Sequence, residues 1–255
     1  MKRLLGCWVS ALLLPLFCAA QPEECRTVRD VPYREAGDSL RDDPMCRLDL
    51  VCPAGAEGFP TVVWFHGGGL TGGRREIPEE LLAGGFAVAG VEYRLSPQTP
   101  VAGCLEDAAA AVAWVVRHIA SYGGDPELIF LAGHSAGGYL VSMLGLDKRW
   151  LAAQGLDPDR AVAAVIPYSG QAVTHFTRRA ELGMPAGQPL VDDMAPLFHV
   201  RADAPPMLLL SGDRELEMLG RYEENAYFWR MLRIAGHPAA VRYIRGRCDK
   251  IRNGR

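Results

Sequence analysis

Residues 130–140 of the chain read FLAGHSAGGYL. It contains the pattern G-x-S-x-G at Gly133–Gly137, with an apolar run before it and a helix-forming run after it. Glycines two positions before and after the serine let a strand and a helix approach closely, while the serine takes a strained backbone conformation that exposes its hydroxyl. The stretch therefore predicts a strand, a sharp turn and a helix, with Ser135 as a candidate nucleophile.

Further apolar, β-forming runs lie on both sides of this turn, and each ends in residues typical of turns. That is the pattern of buried strands in a parallel sheet. A half-exposed strand, CRLDLVC (46–52), precedes them and alternates apolar and polar residues. The buried runs are TVVWFHGGG (61–69), GFAVAGVEYRLSP (85–97), AVAAVIPYSG (161–170), PPMLLLSGD (205–213) and AVRYIRG (240–246).

Two long helical patterns alternate with these strands. Residues 105–126 are rich in alanine, with Glu106 and Asp107 near the start, and residues 221–236 form an amphipathic run that closes with a glycine. Strands that alternate with helices predict an α/β fold with a mainly parallel sheet covered by helices on both faces. We expect a single α/β domain over residues 21–255, with an irregular, lid-like insertion at about 171–205.

The first twenty residues have the pattern of a secretory signal peptide. Lys2 and Arg3 precede a short apolar run, and small residues end it, so cleavage is expected between Ala20 and Gln21 and the protein is expected to be exported. The alternative is a lipoprotein box, LLGC, ending at Cys7. No later apolar run reaches membrane-spanning length.

The net charge, the cysteines and an acidic pair argue against a nucleic-acid-binding surface, a disulfide between Cys46 and Cys52, and a metal site. The formal net charge is −3 and no basic block is present, which argues against a nucleic-acid-binding surface. Cys46 and Cys52 lie six residues apart in one predicted strand, about 20 Å when extended, which is too far for a disulfide. The pair Asp192–Asp193 has no histidine or cysteine cluster near it, so we predict a solvated loop and no metal site.

A second glycine-rich stretch, His66–Gly69, ends another predicted strand. Its backbone amides, with the amide of Ala136, could point at a developing oxyanion. Three acids follow another buried run, and Asp213 is the first of them. Its backbone should be held most rigidly because it is nearest to the strand. We therefore prefer Asp213 to Glu215 and Glu217 as the group that orients an imidazolium.

In order and spacing, HGGG (66–69), YRLSP (93–97), GHSAGG (133–138) and SGDRE (211–215) resemble the α/β-hydrolase esterases. The nearest branches are the hormone-sensitive-lipase type and the bacterial feruloyl/acetyl esterase type. The resemblance covers about residues 45 to 245. It implies hydrolysis of carboxylic esters without a cofactor, often of acetyl or feruloyl groups on plant polysaccharide.

The same resemblance implies roles for particular residues. Ser135 and Asp213 would belong to a Ser–Asp–His triad, and Gly68, Gly69 and Ala136 would form the oxyanion hole. Members of that family carry the triad histidine in a loop after the last strand, followed by a final helix. Here the corresponding region holds Cys248, Asp249 and Lys250, and the helix is missing.

Six histidines are present, and none stands in the expected place. His175 and His199 lie in the insertion, from which a lid could deliver a base; the other four are His66, His118, His134 and His237. The expected function is an exported ester-hydrolase scaffold whose activity is impaired. An active esterase that takes its base from the lid, and a non-catalytic protein that binds an acyl or sugar ligand, are the alternatives.

Overall fold

The computed structural model describes residues 25–185 and 187–243. The expected signal peptide and the tail that lacks the triad histidine lie outside these residues. Within them the strands are β1 (Cys25–Pro32), β2 (Arg47–Pro53), β3 (Phe59–Phe65), β4 (Ala87–Val91), β5 (Gly124–His134), β6 (Ala164–Tyr168), β7 (Leu208–Ser211) and β8 (Ala240–Tyr243). They form one eight-stranded sheet with strand order β1-β2-β4-β3-β5-β6-β7-β8.

All neighbouring strands from β4 to β8 are parallel, and β1 and β2 are antiparallel additions at one edge. Every strand that the sequence predicted is present. The strand β1 was not predicted, because its residues are mostly exposed and polar, so it lacks an apolar signal.

Helices connect the parallel strands. They are α1 (Glu79–Leu82), α2 (Val101–His118), α3 (Ala136–Leu146), α4 (Lys148–Ala152), α5 (Pro158–Ala161), α6 (Phe176–Glu181) and α7 (Arg221–Ile234). Along β3 the side chains alternate: Val63 and Phe65 belong to the large core that α2 and α3 cover, whereas Val62 and Trp64 face the side that carries α1.

Helix α2 begins four residues before the predicted start at residue 105, directly after Pro100. As a result, Asp107 lies on the second turn and is fully buried. Its carboxylate pairs with the guanidinium groups of Arg34 and Arg94, and its Oδ2 also accepts the backbone N–H of Arg94 at 3.0 Å. Asp107 therefore lies near the start of α2, as the sequence predicted, and its buried carboxylate anchors the entry to that helix.

The prediction for the cysteine pair is confirmed. Cys46 and Cys52 are both thiols in the structure. The Cys46 Sγ lies 3.9 Å from Asp107 Oδ1, and the Cys52 Sγ lies 3.7 Å from the carbonyl of Arg26, so the two sulfurs have different neighbours.

Candidate active site

Ser135 lies between the last residue of β5 and the first residue of α3. Its backbone has φ 53° and ψ −108°, a region that residues with a side chain rarely adopt. Two backbone hydrogen bonds hold it there: its N–H donates to Tyr168 O at 2.8 Å, and its carbonyl accepts the N–H of Tyr139 at 3.0 Å. Such strain in a residue other than glycine is typical of a functional turn.

The glycines around the serine are required by close packing. A Cβ on Gly137 would lie 2.0 Å from the carbonyl oxygen of Phe65, at the end of the neighbouring strand β3. A Cβ on Gly133 would lie 2.6 Å from the carbonyl carbon of Gly137. The spacing of G-x-S-x-G therefore follows from contact between strand and helix backbones.

The glycine loop after β3 lies beside this serine turn. A Cβ on Gly67 would lie 3.0 Å from His134 Nδ1 and 3.5 Å from the Cβ of Ser135. Gly68 and Gly69 have φ values of 117° and 66°, in the left-handed region that favours glycine. The glycine loop is thus brought against the serine turn at Gly67, the residue directly before the two glycines that the sequence predicted for an oxyanion hole.

The three candidate acids all follow β7 at the carboxyl edge of the sheet, next to β6. Asp213 is half-buried, and its Oδ1 accepts the backbone N–H of Glu215 at 3.0 Å. Glu217 reaches further: its Oε1 accepts the N–H of Gly212 at 2.8 Å and the hydroxyl of Ser169. Ser169 directly follows the residue whose carbonyl accepts a hydrogen bond from the serine turn. Glu217 therefore connects β7 to the serine turn. The sequence did not predict this contact.

Helix α7 clamps the segment that leaves β6. Arg221 donates from Nη1 to the carbonyl of Ser169, which itself has φ 47°. Glu224 Oε1 accepts the backbone N–H groups of Ala172 at 2.7 Å and Val173 at 2.8 Å. This clamp fixes the start of the insertion next to the serine turn.

The first half of the insertion touches the glycine loop. A Cβ on Gly69 would lie 3.0 Å from the ring of Phe176, and the hydroxyl of Thr177 donates to Gly69 O at 2.5 Å. The insertion then runs along α3, where Tyr139 OH donates to Met194 O at 2.9 Å. The segment between β6 and β7 therefore forms a layer that contacts both the glycine loop and α3.

His175 caps the helix α6 of this insertion. Its side chain is fully buried, and its Nδ1 accepts the N–H of Thr177 at 3.2 Å, so the ring proton resides on Nε2. Burial, reinforced by the positive charges of Arg221 and Arg179, lowers the pKa of the His175 imidazole to about 3. A general base works best with a pKa near the operating pH, so this ring is poorly suited to accept a proton from Ser135.

His199 lies at the other end of α3. Its Nε2 is 2.9 Å from Asp193 O and 3.5 Å from a carboxylate oxygen of Asp147, the residue that directly follows α3. An 11-residue helix is about 16 Å long, and Ser135 stands at its start. The geometry therefore separates His199 from the serine turn.

The remaining histidines have structural contacts. His118 Nδ1 lies 2.7 Å from the carbonyl of Trp114, and His237 Nε2 lies 3.0 Å from Pro205 O, before β7 and so at the amino edge of the sheet. His66 lies between Glu92 and Gly67. His134 faces the glycine loop at Gly67.

The acidic pair of the insertion is engaged by protein groups. Asp193 Oδ2 binds Arg149 Nη1 at 2.9 Å, and Asp192 Oδ1 accepts the hydroxyl of Thr174 at 2.6 Å. Residues 25–185 and 187–243 contain no group of three or more His, Cys, Asp or Glu side chains placed to hold a metal ion. Within the same residues, no helix combines the length and apolar character needed to cross a membrane.

Comparison with solved structures agrees with this architecture. Esterase B from Lactobacillus rhamnosis superposes with a TM-score of 0.71 at 21% identity, over 88% of this chain and 76% of that one. A truncated carbohydrate esterase from gut microbiota gives a TM-score of 0.71 at 19% identity, over 89% and 90% of the two chains. These likenesses establish the α/β-hydrolase fold.

The alignments with sequence relatives include a larger share of this chain than of the relatives. The probable carboxylic ester hydrolase LipM of Mycobacterium tuberculosis is 32% identical over 208 residues, which is 72% of this chain and 47% of LipM. Esterase LipQ of the same organism is 30% identical over 234 residues, 84% of this chain and 54% of LipQ. The chain thus spans about half the length of these relatives. The model of the BD-FAE family matches residues 48–218, a range that includes the glycine loop, the serine turn and all three acids, and the chain belongs to that family.

Proposed function

We propose that this protein hydrolyses carboxylic esters through Ser135. The observation that carries the proposal is the strained serine turn placed beside the glycine loop of β3. The Ser135 oxygen would attack the ester carbonyl carbon while its proton passes to a base. The alcohol would leave with a proton, and water would then release the acid from the acyl-enzyme. Amides of Gly68, Gly69 and Ala136 are proposed to stabilise the oxyanion.

The acid of this site is proposed to be Asp213, with Glu217 as the structural competitor. Asp213 lies at the end of β7 with one carboxylate oxygen bound by a backbone N–H. The Oε1 of Glu217 already accepts hydrogen bonds from Gly212 and Ser169. Removal of the Glu217 carboxylate should therefore loosen the connection between β6 and β7. Asp213→Asn should lower turnover with little change in stability, whereas Glu217→Gln should lower the free energy of unfolding.

The base is the weak part of the site. All six histidines of the sequence lie in the described residues, and their contacts are given above. Among them, His175 is the one that lies in the part of the insertion near the glycine loop. His175 is proposed to be structural, because its Nδ1 is occupied and burial opposes its charged form. We therefore propose impaired turnover for the 255-residue chain.

Short acyl esters, and acetyl or feruloyl esters of carbohydrates, are the proposed substrates. The relatives named as carboxylic ester hydrolases and esterases support the ester class. Export is proposed from the pattern of residues 1–20. N-terminal sequencing of protein recovered from the periplasm or the medium should start at Gln21, and recovery of the intact N-terminus from the cytoplasm would contradict export.

The central test is covalent labelling of Ser135. A fluorophosphonate probe followed by intact-mass analysis should add one phosphonyl group, and p-nitrophenyl acetate should be hydrolysed in a Ser135-dependent manner. Ser135→Ala should abolish both signals, and Ser121→Ala, a change at an exposed serine, should abolish neither. Binding of acyl or sugar ligands with no labelling of Ser135 would favour the non-catalytic binding protein.

A further inference from the structure

The ring of His66 lies between two oxygens that accept hydrogen bonds. Its Nδ1 is 2.7 Å from the carbonyl oxygen of Gly67, and its Nε2 is 3.0 Å from Oε1 of Glu92. The ring is 2% exposed, and both of its nitrogens face these protein oxygens. A carbonyl and an ionised carboxylate only accept hydrogen bonds, and an imidazole that donates from both nitrogens is an imidazolium.

From this juxtaposition we propose that Glu92 is a positioning residue that holds His66 as a charged imidazolium, and that this ring fixes the turn of the glycine loop beside Ser135. The catalytic part of the proposal rests on the function proposed above. The charge assignment does not, because it follows from the hydrogen-bonding partners of one buried ring.

The surroundings of Glu92 favour this charge pair. Its Oε2 accepts the backbone N–H of Arg75 at 3.1 Å. The Arg75 guanidinium itself is directed to Asp30 at 2.8 Å and Asp49 at 3.3 Å, so it does not neutralise Glu92. The Glu92 carboxylate is thus matched by the His66 ring, whose Nε2 lies 3.0 Å from Oε1 while its Nδ1 faces the carbonyl of Gly67.

Tyr93, the residue after Glu92, completes the cradle. Its ring stacks on the His66 ring with centroids 4.3 Å apart and planes 10° from parallel, an arrangement that suits a cation on an aromatic face. Its hydroxyl donates to His66 O at 2.9 Å. Glu92 and Tyr93 together hold both the side chain and the backbone of His66.

The ring in turn determines the shape of the glycine loop. It binds the carbonyl of Gly67, and the loop folds back so closely that a Cβ on Gly73 would lie 2.3 Å from Gly67 O and 2.4 Å from His66 Nδ1. The N–H groups of Thr71 and Gly72 both lie 3.1 Å from Gly68 O. Loss of the charge on Glu92 would therefore act on the predicted oxyanion amides through His66.

The decisive experiment is nuclear magnetic resonance of protein labelled with ¹⁵N at histidine. His66, assigned by its through-space contacts to the Tyr93 ring, should show two slowly exchanging ring N–H protons. Glu92→Gln removes the charge and should leave one of them, whereas Glu92→Asp keeps the charge and should retain both. Asp147→Asn, which alters the other histidine–carboxylate contact, should leave the His66 signals unchanged.

Several results would overturn the proposal. A single ring N–H at His66 in the unaltered protein would do so even if Glu92→Gln failed to fold. Persistence of both protons in Glu92→Gln, or loss of one in Glu92→Asp, would show that the charge of Glu92 does not set the state of the ring.

Kinetics tests the positioning role separately. In Glu92→Gln the kcat for p-nitrophenyl acetate should fall about 10-fold with KM changed less than about twofold, since displaced oxyanion donors weaken the transition state more than the ground state. An unchanged kcat would overturn the positioning role. If the unaltered protein showed no Ser135-dependent hydrolysis, the proposed function would be wrong. The charge assignment would still be decided by the number of ring N–H protons on His66.

Discussion

At the scale of single residues, one added methyl group tests the serine turn. A Cβ on Gly137 would lie 2.0 Å from Phe65 O, a backbone atom that cannot move without disturbing β3. We expect Gly137→Ala to lower the free energy of unfolding by about 2–3 kcal/mol, measured by urea denaturation. Gly72→Ala is the matched control: the nearest atom to its Cβ would be 3.9 Å away, and its stability should be nearly unchanged. Equal losses in both variants would contradict close packing at the turn.

The buried ring of His175 predicts a pH dependence of stability. The pKa of His175 is about 3 in the folded chain, against about 6.5 for an unperturbed imidazole. Between these values the unfolded chain binds more protons, so stability is full above about pH 6.5 and falls by up to about 1.4 kcal/mol per pH unit below it. His175→Asn keeps a capping side chain without a titrating group.

Urea unfolding of both proteins at pH 7 and pH 4.5 checks this expectation. The unaltered chain should lose about 2–3 kcal/mol more than His175→Asn over that interval. His199→Asn, at the half-exposed histidine beyond α3, should retain the full pH dependence. A pH dependence that survives in His175→Asn would place the responsible group elsewhere.

At the scale of elements, the helix α7 stabilises the segment after β6. Glu224 accepts the amides of Ala172 and Val173, and hydrogen bonds to a charged partner are worth about 1.5–3 kcal/mol each. Glu224→Ala should lower the free energy of unfolding by about 3 kcal/mol and speed hydrogen exchange at both amides. Glu223→Ala removes an exposed partner of Arg214 and should do neither. Slow exchange at Ala172 and Val173 in Glu224→Ala would refute the clamp.

Phe176 of α6 is expected to limit the acyl group. Its ring lies where a Cβ of Gly69 would be only 3.0 Å away, so it covers one side of the glycine loop. Phe176→Ala should raise the ratio of kcat/KM for p-nitrophenyl octanoate over acetate about 10-fold. Phe198→Ala, an exposed phenylalanine of the same insertion, should leave this ratio unchanged. Equal ratios in the two variants would remove Phe176 from the substrate path.

The sequence predicts local features of the site better than distant ones. The serine turn and the glycine loop are encoded by glycine spacing within a few residues, and both could be located without a structure. The contact of Glu217 with Ser169 joins positions 48 residues apart, and that of Asp107 with Arg34 joins positions 73 apart. No periodicity or turn signal carries such pairings, so the roles of these acids became visible only when β6 and β7, or β1 and α2, were placed in space.

At the scale of the whole molecule, the two faces of the sheet differ. One face is covered by α2 and α3 and forms the large core, whereas among the described residues the other carries the one-turn helix α1. Ile166 of β6 and Phe130 of β5 on that second face remain half-buried. Among the described residues, the larger hydrophobic cluster therefore lies on the face covered by α2 and α3, and α3 is the helix that begins at the serine turn.

At the scale of the whole molecule, the proposed function pairs Ser135 as nucleophile with no well-placed histidine base, and this proposal predicts the activity. Serine attacks an ester slowly at neutral pH unless a base removes its proton, and loss of the histidine from a serine protease costs about 10⁶-fold in turnover. We expect the 255-residue chain to hydrolyse p-nitrophenyl acetate only at a trace rate, which Ser135→Ala removes and His175→Asn leaves within about twofold. Vigorous Ser135-dependent hydrolysis that collapses in His175→Asn would instead show that the insertion supplies the base, despite the ring's low pKa of about 3 and its bond to Thr177.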